Sequence, residues 1–497
     1  MSVPPRNFIT YSNSNRPQTA YFLVFITTIM TFKRFISLCS FVCIALVCSV
    51  LPVSAQVRDS LRFKQFLQAV MKAHPVVQSA ALENKIADNE IQSALGSFDP
   101  MIRAGYDTKV EASKSKYDDL YADVEVPLAT LFGPKILAGY SRAIGGSINP
   151  EISTGNAGNV LLGLSAPLWQ GVLTDRRRTA LDKARLRPTL ATANQRFEQN
   201  NLLRAAAFQY WSWAEAAEQL DIADSVFKIS VQRVRFITAR SRRGEISPLD
   251  TVEALQELER RRGDIFRSQR VLEQAGIDAA VFLWTDAGTA QTLAQPPASL
   301  PKEPPLDSLS IRADRERAMT LRPEMLRLDV NAQSLTLDMN LAREAQKPFI
   351  ETKAQWFYGI DKGTADNFKL GVNLGLPLFF RTANAQTELL SVSIERLRLQ
   401  TLQVSRFINA DIDNALSALG RAAERIQAAE KELGYAMRMA DGEQRRFREG
   451  ETSLLIVNLR ERAAAEAASR VVSARADYLR AWTQYYWAIG AIQQLAE

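Results

Sequence analysis

An internal repeat divides this chain of 497 residues into two halves with the same landmarks in the same order. Similar segments begin at Pro75 and at Pro323, which are 248 residues apart, and the same spacing separates Pro100 from Pro348. A second matching pair is LSAPLW and LGLPLF, and a third is RRGEISPL and REGETSLL. Repeats of this kind fold as equivalent units, so we expect each half to contain the same set of helices and strands.

The first half is longer than the second between Pro100 and Pro167. The spacing between matching landmarks falls there from 248 to 210 residues, so the first half carries about 38 additional residues. Two stretches of this insertion, 120–128 and 134–145, alternate between apolar and polar side chains. They predict either two additional strands or a long external hairpin, and we favour the elongated hairpin.

Other segments of both halves alternate over about ten residues, as strands do. The clearest of them, 367–377, places Phe368, Leu370 and Val372 on one face and lysine, glycine and asparagine on the other. Similar stretches are 101–111, 159–166 and 350–361. An ordinary half-buried sheet would explain the alternation. The small and charged polar face and the aromatic residues just past the strand ends, Trp169, Phe379 and Phe380, favour a membrane barrel with a wet interior.

The remaining segments are helical and unusually long. Between Thr174 and Arg243 there is no glycine and one proline, Pro188, which we expect to kink the helix or to mark its start. Between Ala383 and Glu449 there is no proline. At 1.5 Å per residue, helices of this length would reach roughly 100 Å. Taken alone, they would fit any long helical bundle.

The predicted organisation follows from these landmarks. Residues 1–55 form an N-terminal extension and a signal peptide, and a proline-rich linker at 295–309 separates the two repeats. The first repeat, 56–294, contains a helix, a strand pair with its insertion at about 100–168 and a long helical hairpin at 174–284. The second repeat, 310–497, contains a helix, a strand pair at 349–378 and a long helical hairpin at 383–495.

The signal peptide is read from a basic start at Lys33 and Arg34, an apolar run and the small residues Val53-Ser54-Ala55. A transmembrane anchor is the alternative, because the apolar run is nearly long enough to span a bilayer. All three cysteines lie in this run, so the processed chain contains no thiol for a disulfide, a nucleophile or a zinc site. Its single histidine, His74, has no second histidine to bind a metal with. We therefore expect no catalytic residue, no metal and no cofactor.

Part of the net charge of +7 comes from the segment before residue 56, which contains four basic residues and no acidic one. The processed chain is close to neutral, and we expect no nucleic-acid partner. Four strands with an apolar outer face cannot close a barrel by themselves, because open edges in a bilayer leave backbone groups unpaired. Copies of the chain must supply the missing strands, which predicts an oligomeric conduit without fixing the number of copies.

These residues resemble the TolC-like outer membrane efflux proteins. The resemblance covers about 60–495 and depends on the duplication, the His-Pro and Arg-Pro starts of the repeats, the strand-exit Pro-Leu-aromatic motifs and the paired RxGExSxL turns. It implies an α+β membrane protein in which each copy contributes four strands to a trimeric transmembrane β-barrel that continues into a long periplasmic α-helical barrel. It also implies a place in the outer membrane lipid and no enzymatic activity.

The resemblance implies where this chain would meet its partners, a periplasmic adaptor and an inner-membrane pump of the RND, ABC or MFS type. The turns between the long and short helices would form the periplasmic tip that docks the adaptor. Their residues are Arg243, Gly244, Glu245, Ser247, Glu449, Gly450, Glu451 and Ser453. A glycine at a helix end followed by a serine cap explains most of these residues as an ordinary helix–turn–helix.

Two further groups are candidates for function. The resemblance implies a gate of charged residues near the tip, for which the candidates are Asp441, Glu443, Arg438 and Arg445. A solvated helix face is the alternative for them. Alternation predicts a group of charged residues that face water inside the barrel, namely Arg103, Asp107, Lys109, Lys353, Asp361 and Lys369.

The favoured function is the passive exit duct of an efflux pump that exports small toxic compounds. The exit duct of a type I protein secretion system is an alternative that the processed sequence does not separate from it. A soluble periplasmic coiled-coil adaptor or scaffold, with the strands in a small soluble domain, is the alternative from a different class.

Overall fold

The computed structural model describes residues 61–110, 116–128, 133–145, 154–291, 295–297, 299–305, 311–361 and 364–497. The chain consists of two compact units, Met1–Asp59 and Ser60–Glu497. Only the second unit contains described residues. The predicted signal peptide lies outside the described residues.

Eight α-helices account for most of the described chain. They are α1 (Phe63–Ala73), α2 (Pro75–Leu95), α3 (Arg176–Arg242), α4 (Pro248–Ala280), α5 (Ile311–Leu321), α6 (Pro323–Glu344), α7 (Arg381–Glu449) and α8 (Leu454–Ala488). The two long helices contain 67 and 69 residues, which corresponds to about 100 Å each. Pro188 lies inside α3 and does not mark its start.

Local sequence explains where several of these helices begin. Proline is the first residue of α2, α4 and α6, a position whose N–H is unpaired in any helix. Asp175 caps α3, because its carboxylate accepts hydrogen bonds from the backbone N–H groups of Arg177 and Arg178. Proline therefore marks the starts of α2, α4 and α6, and a capping side chain marks the start of the long helix α3.

Six strands form one antiparallel sheet in the order β1-β2-β3-β4-β5-β6. They are β1 (Met101–Val110), β2 (Lys116–Pro127), β3 (Lys135–Gly145), β4 (Asn159–Pro167), β5 (Phe349–Gly359) and β6 (Thr364–Gly375). The expectation of four strands per chain was wrong. The 38-residue insertion supplies β2 and β3, which pair with β1 and β4 over most of their length instead of projecting as an external hairpin.

Apolar residues form continuous rows across one face of the sheet. One complete row, in strand order, is Ile102, Val124, Ala138, Leu162, Trp356 and Phe368. Several residues of this face are widely exposed, including Ile102 at 76% and Leu370 at 72%. Most of the charged and small residues lie on the opposite face, whereas Asp118 and Arg142 lie on the apolar one. An exposed apolar face of this extent is typical of a surface that another medium or another molecule covers.

The helices pack as a layer whose order matches the order of the strands. Near the sheet, α2 packs on α3, α3 on α6 and α6 on α7. Farther away, α4 packs on α3, α3 on α8 and α8 on α7. A core around Trp211, Phe66 and Leu479 joins the N-terminal helix to both halves, and a second core around Ile408, Ile412 and Leu419 joins α7 to α8.

Among the described residues, no helix is both long and apolar enough to cross a membrane.

Candidate functional site

The first predicted tip turn joins α3 to α4. Gly244 has a φ of 72°, in the left-handed region that glycine adopts without strain, and its N–H donates to the carbonyl oxygen of Ser241 over 3.0 Å. Glu245 forms ion pairs with Arg240 at 2.9 Å and with Arg243 at 2.8 Å. The hydroxyl of Ser247 accepts from the backbone N–H of Leu249 at 3.2 Å and caps α4.

The second tip turn joins α7 to α8 and has nearly the same backbone. Gly450 has a φ of 79°, and the N–H of Glu451 donates to the carbonyl oxygen of Arg446 at 2.9 Å. The carboxylate of Glu451 lies 3.5 Å from the guanidinium of Arg446. Unlike Ser247, Ser453 makes no side-chain capping bond to the helix that follows it.

The structure brings the two turns together. Ile237 of α3, Ala254 of α4 and Leu454 of α8 are buried against one another, and Ile246 and Phe447 pack at the edge of the group. The tip is therefore one surface formed by both halves of the chain, with its backbone held by glycines and its centre filled by apolar side chains.

A polar network behind the tip was not predicted from the sequence. Arg233 of α3 donates to the amide oxygen of Asn458 at 2.9 Å and forms an ion pair with Glu461. Asn458, which is buried, donates in turn to Glu253 of α4 at 3.1 Å. The signal that could have revealed this network is the position of Asn458 between Val457 and Leu459, where an apolar residue is expected on a packed helix.

The gate candidates lie on different sides of α7. Asp441 and Arg445 are exposed, whereas Glu443 is buried and lies 3.5 Å from the guanidinium of Arg446. The guanidinium of Arg438 lies 4.9 Å from the ring centre of Tyr435. Asp441 and Glu443 therefore do not share one helix face within the chain, and the gate remains a prediction.

Four of the six predicted lumen residues lie in strands on the charged face of the sheet. Arg103 of β1 pairs there with Asp123 and Glu125 of β2, both at 3.0 Å. Lys353 of β5 lies opposite Ser165, and Lys369 of β6 opposite Gln355. The fourth is Asp107, and Lys109 is a residue of β1.

The sixth predicted residue, Asp361, lies outside the strands, and its place in the lumen stays a prediction. The alternation ends when β5 reaches Gly359, so Asp361 lies in the turn that follows. Its carboxylate accepts a hydrogen bond from the backbone N–H of Ala157 at 2.7 Å. This bond connects two turns at one end of β4 and β5.

A buried cationic cluster joins the start of the second repeat to α3, α7 and α8. The guanidiniums of Arg322 and Arg204 lie 4.2 and 4.4 Å from the ring centre of Trp487. Arg322 also forms ion pairs with Glu324 at 2.8 Å and with Asp411 at 3.4 Å. Burial raises the pKa of Asp411, and the positive charge of Arg322 offsets this only in part.

The repeat contained a signal for this cluster, because Arg322 occupies the position of His74 in the other half. In the sequence, both residues precede the proline at the start of a repeat. In the part of the chain that the structure describes, no group of three histidine, cysteine, aspartate or glutamate side chains is placed to hold a metal ion.

The architecture agrees with solved outer membrane channels. The chain superposes on the MtrE channel of Neisseria gonorrhoeae with a TM-score of 0.60 at 15% identity, covering 88% of this chain and 91% of that one. For VceC of Vibrio cholerae the TM-score is 0.61 at 14% identity, with 86% and 96% covered. For CmeC of Campylobacter jejuni it is 0.58 at 13% identity, with 86% of each chain covered. The fold is therefore that of outer membrane channels.

A family model also matches most of the second repeat. Residues 315–491 match the family model of the outer membrane efflux proteins, so this half carries an outer membrane efflux protein domain. No curated protein sequence matched the chain. This match confirms the resemblance inferred from the sequence. The expected location in the outer membrane agrees with the outer membrane proteins that share this domain and this fold.

Proposed function

We propose that three copies of this chain form the passive exit duct of an efflux pump, with the sheet in the outer membrane and the helices in the periplasm. The observation that carries the proposal is the exposed apolar face of a sheet whose edge strands, β1 and β6, have no partner strand within the described chain. In a bilayer such edges cost several kcal/mol for each unpaired backbone group. Copies that join β1 to β6 remove these edges and close a tube.

The charged face of the sheet then lines the tube. Its residues of both signs are placed beside one another, as Arg103, Asp123 and Glu125 are, so the lining favours neither cations nor anions strongly. Transport through such a lining requires no chemical step, which agrees with a family of channels rather than enzymes.

The tip turns are proposed as the surface that docks a periplasmic adaptor, which in turn joins an inner-membrane pump. They combine exposed charges with a backbone held by Gly244 and Gly450, and both turns belong to one packed surface. A preorganised surface of this kind binds without the cost of ordering a loop. The exit duct of a type I protein secretion system would use the same surface, and the nature of the cargo separates the two functions.

The first experiment measures the native mass of the protein extracted with detergent from outer membranes, together with the drug susceptibility of cells that lack their own exit duct. We expect a mass of three chains and restored resistance. A monomer released by osmotic shock without detergent would contradict the duct and favour the soluble adaptor. A trimer that secretes a protein substrate but restores no resistance would support the secretion alternative.

Docking is tested with a matched pair of charge reversals. Arg243→Glu changes a side chain that is 64% exposed at the tip, and Arg267→Glu changes one that is 78% exposed on α4, well away from it. We expect both variants to form trimers and only Arg243→Glu to lose resistance and adaptor cross-linking. Equal behaviour of the two variants would remove the tip from the proposal.

A further inference from the structure

The sheet contains more strands than the helical layer contains helices beneath it. Along the chain, α2 leads into β1, β4 leads into α3, α6 leads into β5 and β6 leads into α7. The packing order of these helices, α2-α3-α6-α7, is also the order of the strands that they adjoin. β2 and β3 lie between β1 and β4 and adjoin no helix. The sheet of six strands is therefore connected to four helices.

The β2–β3 hairpin belongs to the wall of the sheet. β2 pairs with β1 through ten consecutive residues, and β3 pairs with β4 through seven. On the apolar face, the hairpin contributes Val124 and Ala138 to the complete row that begins at Ile102. On the charged face, Glu125 of β2 accepts from Arg103 of β1 at 3.0 Å and lies 3.3 Å from Lys135 of β3. The apolar face therefore continues through the hairpin as far as Leu120 and Tyr140, and Asp118 and Arg142 lie on it beyond them.

Simple geometry shows what two additional strands do to the width. Six strands spaced by about 4.8 Å and tilted by about 40° cover roughly 38 Å of circumference, whereas four would cover about 25 Å. Four helices packed at 8–10 Å cover about 32–40 Å. The six-stranded sheet is thus about as wide as the helical layer on which it stands.

We propose that the β2–β3 hairpin sets the width of the outer end of the duct, so that its barrel is about as wide as the helical barrel and does not select cargo by size. The proposal depends on the exit duct proposed above. With three copies, six strands each give eighteen strands instead of twelve. Because barrel diameter grows roughly linearly with strand number, the cross-section inside the strands would be about twofold larger, in the range that leaves an open aqueous channel.

Cysteine pairs test whether the hairpin lies in the wall of the assembled protein, since residues 56–497 contain no cysteine. Ala138→Cys with Leu162→Cys joins neighbouring residues of β3 and β4. Ile102→Cys with Leu162→Cys joins the same row of β1 and β4, which two strands separate by about 14 Å. In detergent-extracted protein treated with a short bifunctional thiol-reactive cross-linker (a bis-methanethiosulfonate), we expect the first pair to cross-link within one chain and the second not to. The reverse result would place the hairpin outside the wall and overturn the proposal.

A deletion tests the width itself. Removing residues 111–153 joins Val110 to Thr154 and leaves β1 and β4 with Ile102 and Leu162 on the same face. In planar bilayers, polyethylene glycols of increasing size are added on the side of the strands until they no longer enter the channel. We expect the deletion variant to exclude polymers that enter the unaltered channel, in line with a cross-section about twofold smaller. Equal exclusion sizes would contradict a width-setting hairpin.

The outcomes are separable from those of the proposed function. A trimer that restores resistance but cross-links through Ile102→Cys with Leu162→Cys keeps the duct and rejects the wide barrel. A protein that cross-links through Ala138→Cys with Leu162→Cys but forms no channel keeps the six-stranded wall and rejects the duct. If the deletion variant does not assemble, the two cysteine pairs decide the placement of the hairpin.

Discussion

The turns at residues 243–247 and 449–453 occupy equivalent positions in the two halves, yet they are stabilised differently. Both place a glycine at a φ between 70° and 80°. Only the first has its serine bonded to the following helix, and only its glutamate pairs with two arginines. The backbone of the turn is shared because glycine adopts this conformation with least strain, whereas many side-chain arrangements can satisfy the exposed groups around it.

The starts of the two repeats differ in the same way. His74 and Arg322 each precede the proline that begins a helix. His74 accepts a hydrogen bond from the N–H of Val76 at 3.2 Å, whereas Arg322 is buried among carboxylates and against Trp487. The two halves thus share the residues that control the backbone and differ in the side chains that pack between elements.

The largest effect on stability is expected at the starts of the two repeats, where Arg322 and His74 differ. Arg322→Ala leaves Glu324 and Asp411 without their buried cation, and loss of one partner of a buried ion pair costs about 3–5 kcal/mol. His74→Ala removes one capping bond and costs about 1 kcal/mol. Thermal melting in detergent, followed by far-UV circular dichroism, should show a much larger decrease for Arg322→Ala. Equal decreases would mean that the cluster around Trp487 contributes little.

The next effect tests whether the strands of both halves face lipid alike. Leu162 of β4 and Val372 of β6 match in the repeat and lie on the apolar face. Arginine at either position should reduce folding into lipid vesicles by about 2–4 kcal/mol, because a charge near the bilayer midplane is poorly solvated.

The control for this pair is Asn373→Arg on the charged face of β6. It introduces the same charge next to Val372 and should fold nearly as well as the unaltered protein. A large penalty for the control, or none for Leu162→Arg, would reverse the assignment of the faces.

A smaller effect should be equal in both tip turns. Gly244→Ala and Gly450→Ala each force an alanine into a left-handed conformation at about 1–2 kcal/mol, and both positions have open space around the added methyl group. Gly263→Ala, in the middle of α4, should stabilise its helix by up to about 1 kcal/mol. Hydrogen exchange at the two turns and in the middle of α4 measures all three. Unequal losses at the two turns would show that their backbones are not equivalent in the assembly.

Substitution of the serines, unlike that of the glycines, should affect the two turns differently. Ser247→Ala removes the capping bond to Leu249 and should cost about 1 kcal/mol in the first turn of α4. Ser453→Ala removes no capping bond and should leave the first turn of α8 unchanged. Faster exchange after both substitutions would indicate that Ser453 also caps its helix in solution.

The smallest effect concerns pH. Burial lowers the pKa of His74, the only histidine of the chain, below its usual value of 6.5. The unfolded chain therefore binds the proton more readily, so stability should fall as pH drops below about 6.5 and stop falling below the pKa in the folded protein. Melting temperatures between pH 8 and pH 5 measure this step. His74→Gln should abolish it, whereas Arg322 keeps its charge throughout this range and should contribute none.

Much of the fold was accessible from the sequence because its signals are local. The glycine turns, the prolines at helix starts and the alternation of 367–377 each depend on a few adjacent residues. The number of strands was not accessible in this way. The stretches that became β2 and β3 alternate as clearly as the others, but alternation does not say whether a hairpin pairs within a sheet or projects from it. The polar contacts around Asn458 and Arg322 join residues far apart in sequence, so the local signals at these two positions do not identify their partners.

The placement of the β2–β3 hairpin has a consequence for how such ducts diversify. A hairpin adds two antiparallel strands, so the chain comes back to the same end of the sheet from which the hairpin started. Neither the helices nor the remaining strands need to change direction. The end of the molecule that carries the two tip turns can then keep its surface while the sheet at the other end is widened through a single insertion.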